Sequence, residues 1–295
     1  MLIISALVLC IFTILVFVTK QKSQPEAKTF SGSHEVTLSI NPEYIRETEV
    51  SLLVDGQIQI FGVVPDVYTS HYHPAEFVDG NLYIIRRIGN TNTDNWNDQL
   101  WKYQTADEGV VLAEKQGLDF RVSSDGNTIA VFAGSFPSIV QIINSNGDDL
   151  KILETGRLAL SDDSSLEYLA MTDDSLWLGS VQGIGLMNVY AYTFGADELR
   201  SWDVSELKMN SHEYAMNTDV ALVAFSDYQF AFDTDSEKSL EDIPNALFLY
   251  NLEDGSKRLL VTSKKRHAFE PEWVNASTIE FNDIDGEGRT QIVTE

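Results

Sequence analysis

The sequence predicts an all-β chain built from repeated four-stranded units, and three observations predict it. First, apolar and polar residues alternate over short runs: Glu35-Val36-Thr37-Leu38-Ser39-Ile40, Gln57-Ile58-Gln59-Ile60-Phe61, Asn188-Val189-Tyr190-Ala191-Tyr192 and Thr278-Ile279-Glu280-Phe281. A period of two gives a strand one buried and one solvated face. Second, two classes of turn alternate along the chain. One opens a unit: Asp79-Gly80, Ser124-Asp125-Gly126, Asp162-Asp163-Ser164, Asn217-Thr218-Asp219 and Asn275-Ala276-Ser277. The other closes it: Asp107-Glu108-Gly109, Asn146-Gly147-Asp148, Gly195-Ala196-Asp197 and Glu253-Asp254-Gly255. These residues tolerate positive φ or bond their own backbone two residues on. Third, units begin near Pro74, Leu118, Leu158, Glu213 and Phe269, a spacing of roughly 40 to 55 residues that matches propeller blades. A sandwich of unrelated hairpins would not order its turns in this way. No long helical period is present, although Asp203 to Asn210 has room for one turn.

Leu2 to Val18 is apolar apart from Ser5 and Thr13, and Lys20 and Lys22 end it. As a helix it rises ~26 Å, slightly short of a hydrocarbon layer of about 30 Å. No small-residue cleavage site follows in Phe17-Val18-Thr19-Lys20-Gln21. Residues 1–20 therefore read as a transmembrane anchor or uncleaved signal, touching the membrane through residues 2–18. Cys10 is the one cysteine, which excludes an internal disulfide and a cysteine-based zinc site. Leu9 before it is too bulky for a lipoprotein cleavage box. Residues 21–33, polar with Ser, Pro and Gly, read as a flexible tether.

Residues 34–295 are the propeller domain. Strands between 34 and 64 precede the first unit and are expected to complete the last one, zipping the ring shut. At six blades the domain holds about 44 residues in each, a normal blade length; six is the expected count, with five and seven left open. Its charge is extreme. Forty-five acidic against twenty basic side chains give −25 overall; residues 1–29 carry +2, which leaves −27 for the rest. Such a field repels phosphate backbones, so no nucleic-acid partner is expected. A hydrophobic fraction of 43% excludes global disorder.

Phe269-Glu270-Pro271-Glu272-Trp273, the turn at Asn275-Ala276-Ser277, the strand Thr278-Ile279-Glu280-Phe281 and the hairpin Asp283-Ile284-Asp285-Gly286-Glu287-Gly288 follow one another without a break. Together they resemble a TolB-like (WD40-like) propeller repeat: an aromatic, Pro and Trp strand, a Ser-Pro-Asp-Gly turn, an Ile-x-Phe strand and an Asp-x-Asp-Gly hairpin. Phe120 to Val131, around Ser124-Asp125-Gly126, is a second and weaker match. The proline of the turn is missing throughout. The resemblance implies a bladed propeller outside the cytoplasm, used for protein association or beside a peptidase. It implies no catalytic residue. The two lysines after the apolar run, with no basic residue before it, would by the positive-inside rule keep the domain in the cytoplasm. The resemblance implies the opposite, and a single-pass protein of the cell membrane with its propeller outside is the expectation taken here.

Chemistry is sparsely written in the chain. There is no Gly-x-Ser-x-Gly elbow, His-Glu-x-x-His helix or phosphate-binding glycine loop, and Gly183-Ile184-Gly185 reads as a loop. Asp283, Asp285 and Glu287 place three carboxylates in a glycine-containing loop, the oxygen set a calcium ion takes. The spacing to a distal bidentate Glu is absent, and a solvated hairpin is the plainer reading. Calcium is the one cofactor this leaves open. Asp233 and Asp235, in the acidic insertion from Ser226 to Asp242, are candidates for a cation or a basic partner. Asp94, Trp96 and Trp101 form an aromatic and polar cluster; Trp96 reads as an exposed loop residue for recognition, or as packing under that loop. His71 and His73 share a strand face near Glu76 without a third or fourth ligand, and Lys264-Lys265-Arg266-His267 is expected to pair within the molecule. The sequence thus predicts a membrane-tethered, non-catalytic protein-binding or scaffold propeller. The alternatives are a hydrolase or lyase with acidic residues gathered in the propeller channel, and a calcium-stabilised structural module.

Overall fold

The computed structural model describes residues 35–294 except 41–46, 55–56, 69–74, 91–94, 134–138, 155–164, 184, 228–243 and 285–287. Every extended element in it is a strand. Strands β1 (Glu35–Ile40), β2 (Glu47–Val54) and β3 (Gln57–Pro65) form one antiparallel sheet. β4 (Ala75–Val78), β5 (Asn81–Asn90), β6 (Asn95–Thr105) and β7 (Glu108–Lys115) form a second. β8 (Leu118–Val122), β9 (Thr128–Ala133), β10 (Ile139–Asn144) and β11 (Asp149–Glu154) form a third. β12 (Ser165–Met171), β13 (Ser175–Gln182), β14 (Gly185–Thr193) and β15 (Glu198–Asp203) come next, followed by β16 (Met209–Asn217), β17 (Leu222–Asp227), β18 (Ala246–Asn251) and β19 (Lys257–Thr262). These two sheets share a single bridging pair, Gly185 with Asn210. β20 (Glu272–Asn275), β21 (Thr278–Asn282) and β22 (Arg289–Val293) end the chain's described part. A 3-10 turn at Ser205–Leu207 falls inside the Asp203 to Asn210 stretch.

Within each sheet the strands run in sequence order, because connections of two to six residues, all but the one from β17 to β18, return the chain to its own neighbour. The first strands of successive sheets pack together: β1 beside β4, β4 beside β8, and β16 beside β20. That succession makes the arrangement propeller-like, with first strands inside and last strands outside.

The cores lie between consecutive sheets, and the alternation of the middle strands sorts their side chains among them. On β5, Leu82 and Ile84 pack with Val50, Leu52 and Val64 of the first sheet, whereas Tyr83 and Ile85 pack with Phe120, Ile129 and Val131 of the third. On β9, Ala130 and Phe132 turn instead to Leu166, Leu176 and Leu178. On β17, Val223 and Phe225 meet Trp177 and Val189, and Ala224 meets Ile279. A middle strand is covered on both faces, which is why β9 reads Thr-Ile-Ala-Val-Phe-Ala with hardly a polar residue. Outer strands are covered less, and β7, β11 and β19 leave Val110, Ile152 and Leu259 exposed.

Two expectations need amending, and a third falls outside the described residues. Residues 34 to 64 do not complete the last sheet: β1–β3 pair with one another, and among the described residues β22 pairs with β21 alone. The two residues between β2 and β3 commit those strands to a local hairpin. The opening turn of the fourth sheet is Thr172–Asp174, where the Thr172 Oγ1 accepts from the Asp174 and Ser175 amides; Asp162 to Ser164 lie outside the described residues. Finally, no helix among the described residues is long and apolar enough to cross a membrane, and the run 2–18 lies outside them.

Candidate functional site

The inner strands bring polar side chains of three successive sheets together. Arg121 sits near the end of β8, only 8% exposed. Its Nε is 3.9 Å from Oε1 of Glu76 on β4, its Nη1 donates to Asp119 Oδ1 at 3.2 Å and to the Phe120 carbonyl, and its guanidinium lies 4.5 Å from the ring centre of Tyr168 on β12. One arginine therefore joins three successive inner strands. The Val122 amide donates to the other Glu76 oxygen at 3.0 Å.

The fold explains the placement. Leu118, Phe120 and Val122 face the core shared with the second sheet, so the period of two sends Asp119 and Arg121 the other way. Burial pushes the Glu76 carboxyl up to about 7, against the pull of Arg121 and the Val122 amide, with Asp119 adding to the rise. Burial also raises Tyr168, opposed by Arg121 and reinforced by Glu76. On β16, Tyr214 is raised by burial first, then by Glu167 and Tyr168. Beside it, Glu213 Oε2 is enclosed and makes no hydrogen bond to the described residues, while the Trp273 indole of β20 donates to the Ala215 carbonyl at 3.1 Å. Three inner strands thus bring Glu76, Arg121 and Tyr168 together, while Tyr214 and Trp273 on the next two pack against the inter-sheet cores. Such a group offers a fixed guanidinium, aromatic faces and a carboxyl that both gives and takes a proton near neutrality.

The residues singled out from the sequence fall elsewhere. Trp96 is half-buried in β6, paired with Gly89, and does not occupy a loop. Its ring lies 3.7 Å from the Arg87 guanidinium, which is held on its other side by Tyr68 at 3.3 Å. Arg87 also grips Asp98 with two bonds of 2.7 and 2.9 Å. Asp98 is fully buried and accepts from the Gly117 and Leu118 amides, so the group pins β5 and β6 to the crossover entering β8. Trp101 stacks on Tyr103 with Arg86 4.4 Å from its ring. Asp94, Asp233, Asp235, Asp285 and Glu287 lie outside the described residues, as do His71 and His73. Asp283 is half-buried, and its amide closes the hairpin to the Gly288 carbonyl at 2.9 Å. Among the described residues no cluster of three metal-ligating side chains occurs.

Sequence reasoning missed Glu76 and Arg121 as a site, yet both stood in the first strand of a unit. A charged residue in that strand, between apolar residues committed to an inter-sheet core, is the signal.

No family model matches the chain, and no curated protein sequence matches it. Among solved structures it is similar to an oligogalacturonate lyase in complex with manganese, with TM-score 0.52 and 13% identity over 88% of this chain and 76% of that one. Oligopeptidase B from Leishmania major gives TM-score 0.44 and 12% identity over 90% of this chain and 41% of that one. A putative TolB from Agrobacterium tumefaciens gives 0.38 and 9%, over 79% and 83%. At these identities the likeness is one of fold, and the first of the three carries it: the chain has a propeller-like all-β architecture.

Proposed function

We propose that this protein is a six-bladed, membrane-tethered propeller of the TolB-like kind that holds its blades outside the cytoplasm and binds a protein partner at the inner-strand group around Arg121. The observation that carries the reading is the convergence of Glu76, Arg121 and Tyr168 from three consecutive inner strands. Binding is favoured over catalysis because both Glu76 oxygens are engaged, one by the Val122 amide and one facing Arg121. The carboxyl anchors the arginine. The test is affinity capture with the full chain and with Arg121→Ala. A partner enriched by the wild type and by Val110→Ala, but lost with Arg121→Ala, supports the reading; a partner that all three retain contradicts it.

A second reading, a hydrolase or lyase working in the channel, is favoured by one feature. A carboxyl raised to about 7 is poised to move protons at neutral pH. Turnover of any substrate class by the purified chain, falling at least about 100-fold in Glu76→Gln, would replace the binding reading with this one.

A further inference from the structure

The first sheet ends in a strand unlike every other outer strand. β7, β11, β15, β19 and β22 each carry charge: Glu108, Lys151, Arg200, Lys257 and Arg289 among them. β3, Gln-Ile-Gln-Ile-Phe-Gly-Val-Val-Pro, has none over nine residues. It also leaves apolar surface in water, with Ile58 73% and Ile60 55% exposed, and Val63 and Leu53 beside them.

The register places this surface. Leu53 pairs with Ile58 and Ser51 with Ile60, on the face opposite Leu52 and Val50, which pack on the second sheet. Among the described residues no strand pairs with β3 on its outer side, and no core cluster covers this face. The last sheet does not match it, since Glu280, Arg289 and Gln291 form a polar lattice on β21 and β22. Outer strands normally protect a free edge with charge. β3 omits that protection in a molecule whose propeller portion carries −27 by the count above.

From this we infer that β3 is the contact by which two copies of this chain associate, edge to edge and antiparallel, about a twofold axis. Self-association brings every like charge against itself. On any other outer strand it would set lysines, arginines or carboxylates near their own images. On β3 it sets none. A pairing centred on Gln59 puts Ile58 opposite Ile60 of the partner subunit, and Ile60 opposite Ile58 of the partner subunit, closing both apolar pairs on one face. Glu49, opposite Val63, stays at the far end of that face. The bulge at Phe61–Gly62 and the ring of Pro65 end the pairable stretch after Ile60.

Sedimentation equilibrium of the full chain in neutral detergent tests the inference. A dimer is expected, and Ile58→Lys with Ile60→Lys returns it to monomer with unchanged circular dichroism, because both side chains are exposed. In a Cys10→Ser background, Ile58→Cys with Ile60→Cys cross-links to dimer with a short bis-maleimide, and Val110→Cys on β7 does not. The cross-linking arm decides the matter if the lysine variant fails to fold. A monomer at every concentration, a dimer that survives both lysines, or cross-linking equal at Val110→Cys overturns it. Partner capture through Arg121 is a separate readout and stands or falls on its own.

Discussion

Glu76 ties stability to pH in a direction opposite to most carboxylates. Its folded-state value is raised from 4.5 to about 7, so the folded chain holds this proton more tightly than the unfolded one. The contribution is fully present below about pH 4.5 and is lost as pH rises through 7, amounting to about 3 kcal/mol at most. Urea unfolding at pH 5 and pH 8 should therefore show a steeper loss for wild type than for Glu76→Gln. Equal losses in the two proteins would remove Glu76 as the cause. Asp98 behaves as an ordinary buried partner. Asp98→Ala leaves the mostly buried Arg87 without its two bonds and the Gly117 and Leu118 amides without an acceptor. A cost of about 3–5 kcal/mol in the same assay is expected; a loss under about 1 kcal/mol would mean that the ring faces of Tyr68 and Trp96 hold Arg87 alone.

Among the elements, the first two sheets come close together at a glycine. A Cβ on Gly62, whose φ is +153°, would stand 2.3 Å from the Ala106 Cβ in the β6–β7 turn. Gly62→Ala should cost about 1–3 kcal/mol by pushing the first two sheets apart. Gly195→Ala, with open space around it, should change stability by less than about 0.5 kcal/mol. Strands and turns were the most readable part of the sequence. Asp79-Gly80, Ser124-Asp125-Gly126, Asn146-Gly147-Asp148 and Glu253-Asp254-Gly255 all lie where strands reverse, because their local chemistry suffices to bend the chain. Asp162-Asp163-Ser164 has the same chemistry, yet the reversal that opens the fourth sheet is at Thr172–Asp174. Residue type marks where a turn can occur, and pairing of the flanking strands selects among the candidates. Trp96 misled for a related reason: the polar residues around it suggested a loop, while an arginine between two rings stabilises a strand there.

The whole molecule depends on each middle strand serving two cores. That double duty was visible as apolar runs such as Thr128 to Ala133, but which sheets share a core is a long-range fact with no local signature. The same holds for the inner-strand group, since Glu76, Arg121 and Tyr168 lie about 45 residues apart in sequence and meet only when sheets succeed one another radially. Pairwise spin-label distances measure that succession most directly. With Cys10→Ser, labels at Val110→Cys, Ile152→Cys, Arg200→Cys and Leu259→Cys mark four consecutive outer strands, β7, β11, β15 and β19. Around a six-bladed ring, the distances from Val110 to the other three should rise and then level off, near about 1: 1.7: 2. Distances that grow in proportion, about 1: 2: 3 as in a linear stack, or that fall at Leu259, would contradict the radial arrangement and the inner-strand site with it.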